Sequence, residues 1–316
     1  MKIGIIGLGL IGGSIAKALQ YNTEHTVLGT DTDRDVPLKA KLLGAVDDEL
    51  HEPDLEQCDR LILALDPAAT LAFVHTHAPT LNSGAIVMDC CGVKRAICAP
   101  LMACAKENGF HFYGAHPMAG LHFSGFQYSE VTMFENASMI LIPPDDADIE
   151  TLAALKALFK SIGFTNIQIS NPDEHDRIIA YTSQLAHVVS NAYVKSPEAQ
   201  VHKGFSAGSY KDLTRVAKLN ADMWTELFLD NADNLTAELD VLIANLQQYA
   251  AALKAKDAQT PHALLQAGSD RTEQIDGVYR NQKEGAALAE DCRAGAPVLY
   301  RPHRRRGAQP CRGMCT

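Results

Sequence analysis

Lys2-Ile3-Gly4-Ile5-Ile6-Gly7-Leu8-Gly9-Leu10-Ile11-Gly12-Gly13-Ser14 is the stretch from which the rest of the chain is read. Residues 2–6 form a short apolar run of the kind that makes a buried strand. Residues 10–19 put Ile11, Ile15, Ala18 and Leu19 on one helical face. Gly7-x-Gly9-x-x-Gly12 joins the two. Gly7 permits a tight turn, Gly9 lets the backbone approach a pyrophosphate, and Gly12 lets the helix pack closely on the sheet. The first-turn amides, at Leu10, Ile11 and Gly12, then face the phosphates. The next strand, 26–30, ends at Asp31, 19 residues beyond Gly12. A carboxylate there hydrogen-bonds ribose hydroxyls and repels a 2′-phosphate, which predicts NAD as cofactor. Arg34 is the nearby residue able to accommodate that phosphate, and so to admit NADP. FAD suits the same loop, but the chain lacks room for the usual FAD-domain insertion.

Outward from this stretch, apolar strand patterns at 60–65, 85–89, 110–113, 138–142 and 164–169 alternate with helical patterns at 67–81, 95–108 and 149–162. Such alternation implies βαβ units and an α/β, doubly wound, mostly parallel sheet covered on both faces. Residues 1–170 therefore read as a Rossmann-type dinucleotide-binding domain. The pattern changes after Ser170. Asn171-Pro172-Asp173 is a helix start signal, and 173–193, 221–255 and 258–276 read as helices with no convincing strand between them. Residues 171–280 are predicted to form an all-α domain whose long apolar faces have little chain to cover them, so an intertwined homodimer is expected. Residues 281–316 carry seven Lys/Arg against three acids and show no period, which predicts a disordered basic tail.

Composition narrows the function classes. With 316 residues and 47% hydrophobic content, the chain has enough apolar material for one large core or two ordinary ones. A formal charge of −10 argues against nucleic acid or an acidic membrane surface as the main partner. The eight cysteines form no CxxC pair and no zinc-like spacing with histidine, so no metal is predicted and the thiols read as reduced. The apolar run after Lys2 imitates a signal peptide, but its glycines belong to the nucleotide loop. No other run approaches the roughly 20 apolar residues of a membrane span. These observations predict a cytoplasmic protein.

A second constellation lies at Gly114-Ala115-His116-Pro117-Met118-Ala119-Gly120, after a strand of the sheet. Loops at that edge of a parallel sheet face the ligand. His116 is the candidate catalytic residue, weighed against a structural histidine.

At this point the chain resembles the prephenate dehydrogenase family. The likeness runs from the glycine loop through Asp89-x-x-Gly92-Val93-Lys94, the His-Pro-Met-Ala-Gly segment and Ser124-Gly125. It continues through Ser183-Gln184-Leu185-Ala186-His187 and Asp212-x-x-Arg215-x-Ala217 to Met223-Trp224. It covers about residues 1–280. The resemblance implies NAD-dependent oxidative decarboxylation of prephenate to 4-hydroxyphenylpyruvate in tyrosine biosynthesis. His116 would polarise or deprotonate the ring hydroxyl, and Arg215 would hold a carboxylate through its planar fork. His187 would contact substrate and Trp224 would line the pocket, each weighed against core packing; His175 is left as a structural residue.

Two positions depart from the family. Gly92 stands where many relatives carry a Ser, and His122 stands where many carry a Glu. Both touch the proton network and the pH behaviour, not the hydride step. Alternatives remain. Arogenate dehydrogenase uses the same ring chemistry and wants an acid near an ammonium, for which Glu130, Glu135 and Asp212 are candidates. A 3-hydroxyacid dehydrogenase would need a helical-half lysine, and Lys195, Lys203 and Lys211 lie in no matching motif. A non-enzymatic dinucleotide sensor would need no His116–Arg215 pair. With no further βαβ pattern after Asp276 and a fingerprint that begins at residue 2, neither an ACT domain nor a fused chorismate mutase is expected.

Overall fold

The structure, a computed structural model, describes residues 1–121 and 123–293, with residues 276 and 278–293 described as backbone only. Eight strands form one sheet in the order β3-β2-β1-β4-β5-β6-β7-β8. They are β1 (Lys2–Ile6), β2 (Thr26–Thr30), β3 (Asp48–Glu49), β4 (Arg60–Leu63), β5 (Ile86–Asp89), β6 (His111–Pro117), β7 (Ser138–Ile142) and β8 (Asn166–Ile169). All neighbours are parallel except β6 and β7. The helices α1 (Leu10–Asn22), α2 (Asp35–Leu42), α3 (Pro67–His77), α4 (Arg95–Asn108) and α5 (Ile149–Ser161) connect them. Two apolar layers form, as in a doubly wound sheet. One gathers Ile5, Ile15, Leu19, Met88, Leu141 and Phe159; the other gathers Ile6, Leu63, Val87, Leu101 and Phe112. Each fully buried side chain of this size is worth roughly 1.5–3 kcal/mol over an exposed one. The end of α4 shows why local reading works there: Gly109 takes the left-handed conformation at φ 81° and its amide caps the helix.

α2 and β3 are absent from the sequence reading. α2 buries only Pro37 and Ala40, and β3 is two residues long, so neither writes a clear period. More consequential is β6. Its predicted end at Tyr113 is four residues early, because Gly114 and Pro117 look like turn residues. β6 pairs with β5 only as far as Tyr113, then leaves it and pairs antiparallel with β7 from Gly114 to Pro117. His116 is therefore a strand residue, opposite Ile140, and not a loop residue.

The helical half differs in its breaks. The predicted helix at 173–193 consists of α6 (Pro172–Ile179), a π-helical segment Ala180–Leu185, and α7 (Ala186–Tyr193). α6 starts as its sequence requires, with the Asn171 side chain accepting from the Glu174 amide and Pro172 in the first turn. A short helix, α8 (Gly208–Thr214), is not among those the sequence predicts. The predicted helix at 221–255 breaks at Asn231 into α9 (Ala221–Asp230) and α10 (Ala232–Ala255). The buried Asn231 side chain donates to Asp176 O and Gln184 Oε1, both at 2.8 Å.

The chain packs as two units, Met1–Leu242 and Ile243–Thr316. Residues 171–242, on the far side of the expected boundary at 170/171, share the first compact unit with the sheet. The Asp176 carboxylate accepts the backbone amides of Lys94 and Arg95 at 2.8 and 2.9 Å. The Arg95 guanidinium donates to Asn231 Oδ1 and forms an ion pair with Asp233. The second unit holds the end of α10 and α11 (Gln259–Arg293). They are joined by a turn in which Lys256 has φ 53° and Asp257 accepts from the Gln259 amide. α11 runs on through 281–293, the start of the stretch expected to be a disordered tail; 294–316 lie outside the described residues. Among the described residues no helix is long and apolar enough to cross a membrane.

Candidate functional site

The glycine loop has the geometry a pyrophosphate needs. Gly7 sits at φ 87°, and a Cβ there would lie 2.5 Å from Ala64 O. A Cβ on Gly12 would lie 1.9 Å from Gly7 O, so helix and turn touch backbone to backbone. A Cβ on Gly9 would meet nothing within 4 Å, so this glycine faces open space and not a packed wall. Gly9 is also the N-cap of α1 and brings no side chain to its first-turn amides, which include those of Leu10 and Ile11. Open space over bare helix-start amides fits a bound pyrophosphate. Asp31 has a second duty there: its Oδ2 accepts from the Leu8 amide at 2.8 Å and its Oδ1 from the Asp33 amide at 3.0 Å. The acid thereby ties the loop to the end of β2. Arg34 is exposed at the N-cap of α2.

The loop after β6 folds back onto α1. Ser14 Oγ accepts from the Glu130 amide, and Lys17 Nζ donates to Ser129 O and lies over the Phe126 ring. Beside it is a cleft of about 410 Å3 lined by residues that include Met118, Gly120, Glu130, Met133 and Asn136.

His116 stands where β6 leaves β5. Its backbone neighbour is fixed by Asp89 at the end of β5, whose Oδ1 accepts from the Ala115 amide at 2.9 Å. Asp89 Oδ2 accepts from the Cys91 amide and from Lys94 Nζ, and Lys94 also donates to Cys91 O. Asp89 and Lys94 are fully buried as an ion pair. The His116 ring meets a residue that the sequence reading leaves as structural: Nδ1 lies 2.9 Å from His175 Nε2. His175 Nδ1 in turn lies 2.7 Å from Asp176 Oδ1. His116 is half-buried as a residue. Burial, then His175, then Lys94 hold its pKa well below the ordinary histidine value. Burial also lowers His175, against the opposing pull of its hydrogen bond to Asp176. The adjacent His-Asp pair near the start of a helix is the only sequence signal for this partner, and it is weak.

The other candidates gather on the helical side. His187 Nδ1 donates to Ser183 O at 2.8 Å, and its ring stacks on Trp224 with centroids 4.0 Å apart. Burial, opposed by that hydrogen bond and aided by Arg215, lowers the pKa of His187. Arg215 follows α8, is exposed, and has no hydrogen bond or ion pair among the described residues. Trp224 also packs on Phe228. Gly92 faces Leu227 of α9, with 3.4 Å from an added Cβ to Cδ2. His187 and Trp224 stack on each other, Arg215 acts on His187 through its charge, and no hydrogen bond, ion pair or ring contact joins these residues to His116 among the described residues. His122 lies outside the described residues. Among the described residues no three or more His, Cys, Asp or Glu are placed to hold a metal ion.

Comparison with known proteins agrees with this layout. Residues 15–167 match the family model described as prephenate dehydrogenase, nucleotide-binding domain, and 171–267 match prephenate dehydrogenase, dimerization domain. The prephenate dehydrogenase of Bacillus subtilis (strain 168) is 27% identical over 88% of this chain and 76% of that protein. The solved prephenate dehydrogenase from A. aeolicus, in complex with hydroxyphenyl propionate and NAD+, superposes with a TM-score of 0.75 at 26% identity. That match covers 86% of this chain and 98% of the other. Synechocystis arogenate dehydrogenase superposes with a TM-score of 0.73 at 27% identity, covering 87% of this chain and all of the other. The matches exclude a bare dinucleotide sensor: the chain is an NAD-dependent dehydrogenase and belongs to the prephenate dehydrogenase family.

Proposed function

We propose that this protein converts prephenate to 4-hydroxyphenylpyruvate and CO2, with His116 as the base and Arg215 as a carboxylate anchor. The observation that carries the reading is a half-buried His116 whose pKa is held low, at the end of β6, in a chain of this family. Gly7, Gly9, Leu10, Ile11, Gly12 and Asp31 would hold NAD, which supplies the hydride acceptor when bound. As the ring C4–H bond breaks with loss of hydride, His116 takes the C4 hydroxyl proton; when the ring carboxylate then leaves as CO2, its electron pair makes the ring aromatic and the C4 oxygen takes that proton back as the product's phenol. A histidine kept neutral by burial can accept that proton at neutral pH. The unpaired Arg215 and the Trp224-stacked His187 suit the rest of an anionic substrate, because a guanidinium binds a carboxylate through two parallel hydrogen bonds. A homodimer through the helical half is part of the proposal, supported by the matched dimerization domain. Exposed Ile243, Leu246 and Leu253 in the second unit point the same way. A cytoplasmic location is also proposed, supported by free thiols at Cys58, Cys90, Cys91, Cys98 and Cys104.

Initial rates on prephenate or arogenate, each with NAD or NADP, test the reading. Prephenate with NAD should be fastest. Faster turnover of arogenate would move the assignment to the neighbouring activity, and preference for NADP would shift attention from Asp31 to Arg34.

A further inference from the structure

We propose that His175 and Asp176 are positioning residues for His116: they hold its ring in the single tautomer that presents Nε2 as an open lone pair to the substrate hydroxyl. The proposal rests on the reading of His116 as the base. It follows from counting protons along one line of contacts. Asp176 is buried, and burial alone would raise its pKa. The His175 hydrogen bond and the Arg95 and Lys94 backbone amides outweigh that, so the group is a carboxylate. A carboxylate can only accept, so His175 Nδ1, 2.7 Å from Asp176 Oδ1, carries a hydrogen. His175 is neutral, so its Nε2 carries a lone pair. His116 Nδ1, 2.9 Å from that nitrogen, must then be the donor. A neutral His116 with hydrogen on Nδ1 has its lone pair on Nε2.

That orientation is worth enforcing. Free neutral imidazole favours the opposite tautomer, with hydrogen on Nε2, which could not take a proton from a hydroxyl. When Nε2 accepts the hydroxyl proton, His116 becomes an imidazolium and still donates through Nδ1 to His175. Its new charge then faces a chain that ends in the Asp176 carboxylate. The other charges around the line are Asp89 of β5, Lys94 and Arg95 at the start of α4, and Asp230 and Asp233 near the α9–α10 break. Lys94 is spent on Asp89 and Arg95 is shared with Asp233, which leaves Asp176 as the carboxylate aligned with the two rings. Two backbone amides hold that carboxylate in place, with the Arg95 guanidinium 3.5 Å from its Oδ2.

His175→Leu removes the acceptor for His116 Nδ1. His175→Gln keeps an amide oxygen to accept from His116 and an amide NH2 to donate to Asp176. With prephenate and NAD, His175→Leu should lower kcat on the order of 10- to 100-fold, change KM by less than about twofold, and shift the acid limb of kcat/KM. His175→Gln should recover most of the rate. Unchanged kcat with an unshifted acid limb in His175→Leu would overturn the proposal. The 15N shifts of the His116 ring in the unmodified protein judge it without any variant: hydrogen on Nδ1 supports it, and hydrogen on Nε2 overturns it even if His175→Leu fails to fold. A normal rate in His116→Asn would instead remove the base assignment, and the 15N shifts would still decide the tautomer on their own.

Discussion

The nucleotide loop and the histidine line are two candidate functional regions built on opposite logics. The loop is a property of consecutive backbone: three glycines within six residues and an acid at the end of the next strand. Its tolerances are steric, and a single methyl at Gly12 would meet a carbonyl oxygen at 1.9 Å. The histidine line is made by side chains 59 residues apart, His116 on β6 and His175 on α6, and it works through protonation state. The loop should therefore fail by losing affinity, and the line by losing rate.

His116→Asn draws this contrast most sharply. Asparagine has similar volume and can hydrogen-bond, but it takes no proton at neutral pH. We expect kcat to drop on the order of 10²–10⁴ with KM little changed. Arg215→Ala should do the reverse, raising KM with a smaller loss of kcat. Near-normal turnover in His116→Asn would mean the proton leaves by another route, and His122 would be the next residue to replace.

In the nucleotide loop, Gly12→Ala should weaken NAD on the order of 100-fold, or about 2.7 kcal/mol, because turn and helix start must separate. Gly9→Ala should leave the melting temperature unchanged and affect only dinucleotide titrations. Asp31→Ser should cost roughly 1.5–3 kcal/mol of NAD binding and narrow the gap to NADP. Since Asp31 also accepts from the Leu8 amide, the Asp31→Asn variant tells the two duties apart. Equal NAD affinity in wild type and Asp31→Ser, measured by calorimetry, would refute the ribose role.

The pH dependence tests the line without mutation. His116 and His175 are held neutral by burial, below the ordinary histidine value of about 6.5. The acid limb of kcat/KM should accordingly fall below pH ~6.5. Stability follows the same sign. As pH drops below about 6.5 the unfolded chain takes up protons that the folded histidines refuse, so unfolding becomes easier until the folded groups titrate. Urea midpoints on either side of pH ~6.5 measure this; a rise on acidification would contradict neutral buried rings. The smallest effect is expected at Gly92→Ser, where the added Cβ meets Leu227 at an ordinary contact distance. A change in stability above about 0.5 kcal/mol there would be a surprise.

How much of this is legible in the sequence follows the same division. β1, β2, β7 and α4 coincide with the ranges read from apolar period and turn residues. β6 reads short because Gly114 and Pro117 carry turn signatures, which pairing with β7 overrides. The long helix at 221–255 reads as continuous because nothing local marks Asn231 as a break; its side chain is spent on Asp176 and Gln184 instead. The motif around His116 singles that residue out, but nothing near it in the chain points to His175.

What the sequence determined by itself was everything whose constraint is local. That covers the βαβ rhythm, the glycine turn with its bare helix start, the acid at the end of β2, and the start of α6. Each depends on dihedral angles or spacing within a few residues, and residue type states those directly. Tertiary structure alone decided that His116 is a strand residue, that its Nδ1 lies against His175 Nε2, and that Asp176 is clamped by the amides of Lys94 and Arg95. A proton's place on an imidazole depends on which acceptor lies within about 3 Å, and that acceptor arrives only when β6 has left β5 and α6 has packed against the start of α4.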